Sequence, residues 1–486
     1  MSRYNMTLLT DLYELTMMQG YFNKKSNEKV VFDVFYRRNP SGSAYAICAG
    51  LEQVIEYIND LKFEKEDIDY LRSTGTFQED FLEYLSTFRF TGDIYAIPEG
   101  TVVFPKEPLL KVIAPIMEAQ LIETAILNIM NHQSLIATKA SRVVYAAGGG
   151  VMEFGLRRAQ GPDAGVYGAR AAVIGGCVGT SNVLAGKMFD IPIKGTHAHS
   201  WIMSFKTELE AFRNYAQTYP ENCLLLVDTY DTLKSGIPHA IQVFDEMKTK
   251  GYRPAVYGIR LDSGDLAYLT KKARKMLDDA GHKDAIISAS SDLDEYVIES
   301  LQRQGAQITS WGVGTNLITS ADCPAFGGVY KLAAISDENG NFVPKIKVSE
   351  NVEKVTNPGN KTVFRLYDNA TGKIKADLIA LADETYSGDQ PLMIFDPIST
   401  WKKTYLEAGS YTVRELLVPI FINGACVYES PKVMDIRDYC TKELGTLWDE
   451  SRRFVNPQEV HVDLSKPLFD LKHRLLDGVH SFKDTK

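Results

Sequence analysis

Between Val151 and Ile335 the sequence repeats one pattern: a short apolar run, a turn with polar residues or glycine, and a segment with helical apolar spacing. Strands that alternate with helices in this way predict parallel βα units. About six to eight such units close most readily into an α/β barrel, and an open doubly wound sheet is the alternative. The predicted strands are Val151–Gly155, Cys177–Thr180, Ile191–Gly195, Cys223–Asp228, Ala255–Leu261, Ala285–Ser290, Ile308–Gly314 and Gly328–Ile335. The predicted helices include Phe205–Thr218, Ile237–Lys250, Leu266–Ala280 and Leu293–Gln304.

The segments on either side of this repeat have a different pattern. Before it, the sequence predicts a helix over Asp11–Gly20 and strands over Val30–Arg37, Gly92–Tyr95 and Val102–Leu110. After it, the predicted strands are Lys345–Val348, Lys361–Tyr367 and Lys373–Leu381, the last two joined in a hairpin by the turn Asn369–Gly372. We therefore expect an α/β fold, with an irregular α/β barrel and an α/β domain formed by the N- and C-terminal segments. The expected domains are residues 1–125 (N-terminal α/β domain), 126–345 (barrel) and 346–486 (C-terminal segment packing on the N-terminal domain).

Composition and charge narrow the class of protein. The 62 Asp and Glu residues outnumber the 53 Lys and Arg residues, and the net charge of −9 argues against a general nucleic-acid binder. The six cysteines form no C-x-x-C pair, which argues against a zinc ribbon and favours reduced thiols in a cytoplasmic protein. Met1–Met6 lacks the apolar core of a signal peptide, and the apolar stretch Ala171–Gly179 is too short to span a bilayer. The sequence therefore predicts no membrane partner.

Polar residues gather where the predicted barrel strands end. Because the carboxyl ends of parallel strands share one face of a barrel, these residues are expected to lie together at the face where such folds have their active sites. They are Arg157, Arg158, Thr180, Ser181, His197, His199, Asp228, Asp231, Asp262, Asp265, Ser290, Asp292, Gly314 and Thr315.

The segment Gly195–Trp201 places two histidines, His197 and His199, where a strand passes into a helix. Ser200 is a candidate helix N-cap, and the free backbone N–H groups at such a position favour anions such as phosphate. An imidazole there could act as a nucleophile that carries a phosphoryl group, because its neutral form titrates near physiological pH. A metal site and a pair of structural histidines are the alternatives, the structural pair being the commonest case.

Two other strand ends carry groups that suit phosphate. Phe154–Gly161 contains Arg157 and Arg158, whose planar guanidinium groups match phosphate or carboxylate, whereas Phe154 could stack on a flat ring. Trp311–Asn316 is a glycine turn whose backbone N–H groups could surround a phosphate. The ordinary alternatives are a surface ion pair, a core aromatic side chain and a turn without a ligand.

The segment Ile259–Leu266 places Arg260 and Asp262 two residues apart on one strand, and hence on the same face. At the carboxyl end of a strand they could hold an anionic group and either a ribose hydroxyl or a hydrated Mg²⁺. A salt-bridged strand end, followed by helix capping through Ser263 or Asp265, is the alternative.

Taken together and in this order, these motifs closely resemble the nicotinate phosphoribosyltransferase family. The resemblance runs through Thr10–Tyr13, Tyr36–Pro40, Glu153–Gly165, Gly195–Ser200, Val227–Thr232, Gly258–Asp265, Gly312–Thr315 and Gly328–Leu332. That family joins nicotinate to 5-phosphoribosyl 1-diphosphate, giving nicotinate mononucleotide and diphosphate in NAD salvage. It couples the transfer to ATP hydrolysis through a phosphorylated histidine. The resemblance therefore implies nicotinate, 5-phosphoribosyl 1-diphosphate, ATP and Mg²⁺ as ligands of this chain.

The resemblance also implies roles for individual residues. The second histidine of the pair, His199, matches the phosphorylated one, and Thr196 is expected to line the substrate pocket. Tyr13 and Phe154 are expected to sandwich the pyridine ring, with Tyr13 supplied by the partner subunit of a homodimer that shares its active sites. Arg260 is expected to donate to the nicotinate carboxylate.

By the same resemblance, Asp262 is a second catalytic residue that contacts the ribose or its metal, and Arg157, Gly314 and Thr315 hold the phosphate end. No metal site made of protein groups alone is implied, since Mg²⁺ would be carried by the diphosphate near Asp262. These residue types fit the chemistry. Positive charge builds on the ribosyl ring and negative charge on the diphosphate as their bond breaks.

Ser181 bears on the choice of substrate. The related nicotinamide enzyme carries an acidic residue at the matching position, where a carboxylate would accept from an amide and repel nicotinate. A serine hydroxyl can instead donate to the carboxylate of nicotinate, which favours the acid. A nicotinamide phosphoribosyltransferase and a catalytically silent nucleotide-binding relative are the alternative functions. A quinolinate-specific enzyme ranks third, because its dedicated enzymes are shorter and richer in pocket arginine and lysine.

Overall fold

The structure is a computed structural model that describes residues 5–252, 254–351 and 354–483. Its strands are β1 (Lys29–Tyr36), β2 (Ala46–Ile47), β3 (Asp93–Ala96), β4 (Val102–Val103), β5 (Leu110–Pro115), β6 (Val151–Glu153), β7 (Asn222–Leu226), β8 (Val256–Leu261), β9 (Ile286–Ser291), β10 (Ser310–Val313), β11 (Gly328–Ser336), β12 (Phe342–Pro344), β13 (Lys361–Asp368), β14 (Ile374–Leu381), β15 (Leu392–Phe395), β16 (Lys403–Leu406), β17 (Tyr411–Glu415), β18 (Val418–Ile422), β19 (Ala425–Cys426) and β20 (His461–Leu464).

The helices are α1 (Leu12–Asn23), α2 (Leu51–Asp60), α3 (Lys65–Ser73), α4 (Glu79–Ser86), α5 (Ile116–Leu121), α6 (Glu123–Ala147), α7 (Pro162–Ile174), α8 (Val183–Phe189), α9 (His199–Met203), α10 (Glu208–Thr218), α11 (Ile237–Thr249), α12 (Leu266–Asp279), α13 (Glu295–Arg303), α14 (Thr315–Ile318), α15 (Val433–Gly445), α16 (Asp449–Arg452) and α17 (Lys466–Lys483). Among the described residues, no helix combines the length and the apolar character that crossing a bilayer requires.

The chain forms two compact units. The first contains the described residues of 1–135, 325–431 and 439–486, and the second contains 136–324, as far as they are described, together with 432–438. The first unit is therefore built from both ends of the chain. The divisions at 135/136 and 324/325 fall inside the range 126–345 that the sequence predicts for the barrel.

The second unit contains a parallel sheet with the strand order β6-β10-β9-β8-β7. Its interior strands are buried apolar runs, such as Ile259 and Leu261 on β8, and helices follow the strands as the sequence pattern predicts. Asp265 caps α12 by accepting from the backbone N–H of Tyr268 at 2.9 Å, which confirms its predicted capping role. The α/β class of the fold is thus confirmed.

Two isolated bridges extend this sheet beyond β6. Thr180 pairs in parallel with Glu153 on one side and with Ile193 on the other. The segment that follows Ile193 is hydrogen-bonded to β7 by a side chain, since Thr196 Oγ1 donates to the Leu224 carbonyl at 2.6 Å. The backbone ladder among the described residues is therefore not closed, and side-chain hydrogen bonds join its two ends into an irregular ring.

The first unit is dominated by two larger sheets. One has the order β12-β11-β1-β5-β3-β18-β19 and is antiparallel throughout, with β1 buried along most of its length at the centre. The other has the order β16-β15-β20-β14-β13-β17, in which only the pair β14–β20 is parallel. Strands β13 and β14 form the predicted hairpin around Asn369–Gly372, with Lys361 opposite Leu381.

Several predicted strands were wrong in extent, place or kind. Val102–Leu110 is not one strand, because β4 covers only Val102–Val103 and β5 begins at Leu110, and Cys177–Thr180 and Ile191–Gly195 contribute only isolated bridges. Gly328–Ile335, expected in the parallel repeat, instead pairs antiparallel with β1 in the first unit, because an apolar run does not by itself determine the direction of its partner. Lys345–Val348 is not a strand. The Lys347 N–H donates to Thr356 Oγ1 at 3.0 Å instead of entering a backbone ladder, and Phe342–Pro344 forms the edge strand β12.

Arg365 on β13 anchors a buried ionic network in the first unit. Its guanidinium makes a two-point contact with the Asp377 carboxylate at 2.9 and 2.7 Å and also donates to Glu443 Oε2 at 3.1 Å. Glu443 accepts two further hydrogen bonds from Arg414, at 2.7 and 2.9 Å. Burial raises the pKa of Glu107 well above its usual range, and the nearby negative charge of Asp377 adds to that rise. Arg365 thus compensates acidic groups that would otherwise be buried without a partner.

We predict that Arg365→Leu lowers the free energy of unfolding of the protein by about 3–5 kcal/mol, because the buried Asp377 carboxylate loses both hydrogen bonds from Arg365 and Glu443 loses one. Urea unfolding followed by circular dichroism measures the change. The matched control is Arg72→Leu, which removes an arginine that pairs with Asp69 and Glu79 on the surface and should barely move the midpoint. Equal effects of the two substitutions would contradict the stabilising role of the buried network.

Candidate active site

A cavity of about 260 Å³ opens at the carboxyl ends of the parallel strands in the second unit. Six residues selected from the sequence line it: Phe154, Arg157, Arg260, Asp262, Gly314 and Thr315. The remaining lining residues are Arg158, Ser290, Ser291, Asp292 and Gly312. The parallel arrangement of the strands therefore brings together side chains that are far apart in the sequence, as expected for the strand ends of a βα repeat.

The wall around Phe154 depends on two glycines. The Phe154 N–H donates to the Val313 carbonyl at 2.8 Å, which holds the end of β6 against β10. A Cβ atom on Gly312 would lie 2.5 Å from the Phe154 ring, so any side chain there would displace the aromatic ring. A Cβ atom on Gly314 would lie 3.3 Å from the Phe154 carbonyl oxygen. The glycine turn therefore makes room for Phe154 at the cavity wall.

Arg260 and Asp262 stand at the end of β8 and both line the cavity. Burial lowers the pKa of the Arg260 guanidinium, while the negative charges of Asp262 and Asp228 oppose that effect. The buried Arg260 Nε atom has no hydrogen-bond partner among the described residues. A buried donor of this kind is costly unless it is satisfied, so the arrangement suits a ligand that brings an acceptor, such as a carboxylate.

Asp228, just after β7, connects His199 to the end of β8. Its Oδ1 atom lies 3.1 Å from His199 Nε2, and its Oδ2 atom accepts from the Asp262 N–H at 2.8 Å and from Ser263 Oγ at 2.7 Å. The Asp228 side chain is 2% exposed, whereas that of His199 is 39% exposed. A carboxylate at Nε2 favours the tautomer with its proton on that nitrogen, which leaves the Nδ1 lone pair for other chemistry.

Asp262 is itself held in place by its neighbours. Its Oδ1 atom accepts a short hydrogen bond from Ser290 Oγ, and its backbone N–H is fixed by Asp228. The carboxylate therefore enters the cavity in one orientation, which is what a group that stabilises developing charge requires.

The other histidine of the pair is part of the packing. His197 is 9% exposed, and its ring lies edge-on to Tyr215 with 4.5 Å between the ring centroids. Its Nε2 atom accepts from the Leu226 N–H at 3.3 Å. Burial lowers the pKa of His197 to about 4, and the nearby positive charge of Arg260 acts in the same direction. Ser200 is not the helix N-cap that the sequence predicts, because α9 begins at His199 and Ala198 is its cap.

Four predicted residues, His199 among them, do not line the cavity. Thr196 is engaged with the β7 backbone, and Ser181 follows the Thr180 bridge, where its N–H donates to the Glu153 carbonyl at 2.9 Å. Tyr13 belongs to the first unit, on α1, with 47% of its side chain exposed. Burial raises the pKa of the Tyr13 hydroxyl, and the charges of Glu123 and Glu14 raise it further.

Asp228, Ser290 and Asp292 were predicted only as polar strand ends, with no role in the site. The signal that could have selected them was the same strand-end position that selected Asp262. Among the described residues there is no group of three or more His, Cys, Asp or Glu side chains placed to hold a metal ion.

Comparison with known families gives three consecutive matches along the chain. Residues 8–131 match the nicotinate phosphoribosyltransferase N-terminal domain, residues 150–362 the nicotinate phosphoribosyltransferase family, and residues 360–472 its C-terminal domain. Together the matches span most of the sequence, including every residue that lines the cavity.

Individual relatives agree with these matches. The chain is 48% identical over 479 residues to a nicotinate phosphoribosyltransferase of Bacillus subtilis, with 98% of this chain and 96% of that protein covered. The crystal structure of the human nicotinic acid phosphoribosyltransferase superposes with a TM-score of 0.84 and 28% identity, covering 96% and 99% of the two chains. A nicotinate-nucleotide pyrophosphorylase from Pyrococcus furiosus has the same fold, with a TM-score of 0.69, 24% identity and coverage of 92% and 99%.

We predict that His197 makes stability depend on pH in the window between about 4 and about 6.5. In that window the unfolded state binds a proton on this histidine and the folded state does not, so stability is lost as the pH falls. The shift corresponds to roughly 3 kcal/mol. His197→Gln retains an acceptor for the Leu226 N–H and does not titrate, so it serves as the reference. The difference in unfolding free energy between wild type and His197→Gln should fall between pH 7 and pH 4; a constant difference would contradict the assignment.

Proposed function

The chain belongs to the nicotinate phosphoribosyltransferase family and is an enzyme of that kind, and from this premise we propose how its residues carry the reaction. The enzyme forms nicotinate mononucleotide in NAD salvage. We infer that the cavity at the strand ends of the second unit binds the phosphoribosyl donor and the pyridine. The observation that supports this location is that Phe154, Arg157, Arg260 and Asp262 line one cavity with the turn Gly314–Thr315.

In the proposed transfer, the nicotinate ring nitrogen gives its electron pair to C1 of the ribosyl group. The bond between C1 and the diphosphate oxygen breaks, and its electron pair leaves with the diphosphate. Positive charge on the ribosyl ring is stabilised by the Asp262 carboxylate, whose orientation Ser290 and Asp228 restrict. A fixed carboxylate costs no reorganisation as that charge develops.

The phosphate groups of the donor are assigned to Arg157 and to the turn Gly314–Thr315. Guanidinium and backbone N–H groups are suitable donors for phosphate oxygens. The donor set fits a Mg²⁺ ion that enters with the diphosphate, because Asp262 offers a carboxylate oxygen at the cavity. When bound, the ion would offset negative charge on the leaving diphosphate.

The nicotinate ring is assigned to Phe154 and its carboxylate to Arg260, whose buried Nε atom needs an acceptor. Ser181 would donate to the same carboxylate. Tyr13 would close the other face of the ring from the partner subunit of a homodimer, and its exposure on α1 supports that assignment. A substrate carboxylate would satisfy Arg260, whereas the amide of nicotinamide would bring no charge to it.

ATP coupling is assigned to His199. In this step the Nδ1 lone pair attacks the γ-phosphorus of ATP, the bond to the β-phosphate oxygen breaks, and ADP leaves with that electron pair. Asp228 holds the proton on Nε2 and stabilises the positive ring that results. Water later hydrolyses the phosphohistidine. The phosphorylated ring would carry up to about two negative charges near the diphosphate site, which can change the affinity of that site between the two states.

We predict that mononucleotide forms from nicotinate in preference to nicotinamide or quinolinate, and that ATP improves the turnover. The assay supplies 5-phosphoribosyl 1-diphosphate and Mg²⁺ with each pyridine in parallel, with and without ATP. In Ser181→Asp the new carboxylate repels nicotinate and accepts from an amide, so the ratio of kcat/KM for nicotinate over nicotinamide should fall about tenfold or more. An unchanged ratio would remove Ser181 from the selection of substrate, and turnover of nicotinamide alone by the wild type would overturn the proposed pocket.

We predict that the wild type retains label from γ-labelled ATP in an acid-labile form and that His199→Ala retains none. Asp228→Asn should retain label at a rate reduced by about one to two orders of magnitude, because the amide orients the imidazole poorly. His239→Ala is the matched control, since His239 is also half-buried and contacts a carboxylate at 2.8 Å, but that carboxylate belongs to Glu208 and not to Asp228, which holds Asp262. Label lost equally from the His239 and His199 variants would refute the assignment.

A further inference from the structure

Glu153 is a buried acid that the proposed reaction does not use. It is the last residue of β6, its side chain is fully buried, and it immediately precedes Phe154. Burial raises the pKa of its carboxyl group, while hydrogen bonds from Thr180 and Gly155 oppose that rise. Burying a carboxylate costs free energy unless it is hydrogen-bonded. The groups that donate to Glu153 are therefore the ones that it holds in place.

One oxygen of Glu153 fixes the turn that carries Phe154. Glu153 Oε1 accepts a short hydrogen bond from the Gly155 N–H. A Cβ atom on Gly155 would lie 2.4 Å from Ile318 and 2.9 Å from that same oxygen, so the turn is tightly enclosed. Phe154 therefore lies between two fixed points, its own N–H bound to Val313 and the next N–H bound to Glu153.

The other oxygen of Glu153 fixes the segment that carries Ser181. Glu153 Oε2 accepts from Thr180 Oγ1 at 2.6 Å, and the Glu153 carbonyl accepts from the Ser181 N–H at 2.9 Å. Thr180 Oγ1 in turn accepts from the Asn182 N–H at 2.9 Å. Ser181 thus lies between two residues whose positions depend on the Glu153–Thr180 contact.

We propose that Glu153 and Thr180 are a positioning pair that sets Phe154 and Ser181 relative to each other, and thereby determines the affinity and the acid-over-amide preference for the pyridine substrate. The inference rests on the proposed roles of Phe154 and Ser181. Neither Glu153 nor Thr180 lines the cavity, so the pair acts through the two residues that it holds and not by touching the substrate. The Glu153 carboxylate links the segments of Phe154 and Ser181, because one of its oxygens accepts from the Gly155 N–H and the other accepts from Thr180 Oγ1.

Thr180→Val tests the pair, because valine has nearly the same shape as threonine but cannot donate to Glu153. We expect the KM for nicotinate to rise about ten- to a hundredfold and the preference for nicotinate over nicotinamide to fall. The KM for 5-phosphoribosyl 1-diphosphate and the labelling of the enzyme by ATP should change less than twofold. Thr180→Ser restores the hydroxyl and should restore the KM for nicotinate.

Thr270→Val is the matched control for loss of a buried hydroxyl. Thr270 lies in the same unit and is fully buried, and its hydroxyl donates to the Leu266 carbonyl at 2.6 Å and accepts from the Gln307 N–H at 3.2 Å, so these hydrogen bonds involve neither residue of the pair. Glu153→Gln is the second variant, and it should raise the KM for nicotinate by a smaller factor, because its amide can still accept from Gly155 and donate to Thr180. Thermal unfolding of each variant identifies those that fold.

Three outcomes would overturn the inference. In the first, Thr180→Val raises the KM for nicotinate no more than Thr270→Val does. In the second, Thr180→Val weakens every substrate and the ATP labelling alike, which indicates a purely structural role. In the third, Thr180→Ser fails to restore the KM. Ser181→Asp in the same assay separates this inference from the proposed function, since a loss of preference in Ser181→Asp without one in Thr180→Val refutes the positioning pair alone.

Discussion

The hydrogen bonds of Asp228 hold the candidate active site together. Its two carboxylate oxygens act in different directions, one toward the imidazole of His199 and the other toward the backbone of Asp262 and the hydroxyl of Ser263. The side chain is almost completely buried, so both contacts are made in a low-dielectric environment where they are strong. A change in the charge of the imidazole would, in the proposed reaction, act on Asp262 through these contacts. In the proposed reaction, this contact gives ATP hydrolysis a direct physical route to the transfer step.

The parallel repeat could be predicted from the sequence because it depends on local pattern. Strand segments such as Val256–Leu261 and Ile286–Ser291 are each followed by a capped helix. Their local pattern therefore predicts both the strand and the helix, even when the neighbouring strands are not known. Gly328–Ser336 could not be assigned in this way, since its partner β1 lies some three hundred residues earlier in the chain and its direction is antiparallel. The irregular closure of the parallel sheet near Thr196 could not be predicted from local pattern either. A side-chain hydrogen bond makes this closure, in place of a backbone ladder.

The same distinction applies to the candidate site. Arg260, Asp262 and the turn Gly314–Thr315 could be selected because unusual residues follow recognisable strands and match a family pattern. Asp228 gave the same strand-end signal, but an acid in that position is so often a helix cap that its contact with His199 became evident only in three dimensions. Glu153 lies in the matched segment Glu153–Gly165 but was assigned no role, since its importance lies in two hydrogen bonds, from Gly155 and from Thr180, that become evident only in three dimensions.

The two neighbouring histidines illustrate why composition and spacing do not determine chemistry. His197 and His199 are separated by one residue, yet the first points into the packing against Tyr215 and the second lies at the start of α9 beside a carboxylate. Burial keeps the imidazole of His197 neutral and uses its lone pair to accept from the backbone, so it has no electron pair to offer a substrate. His199 uses its Nε2 atom for Asp228, and its Nδ1 atom is left to react. His197 lies before α9 and His199 is the first residue of that helix, and this change of backbone conformation separates the structural histidine from the proposed nucleophile.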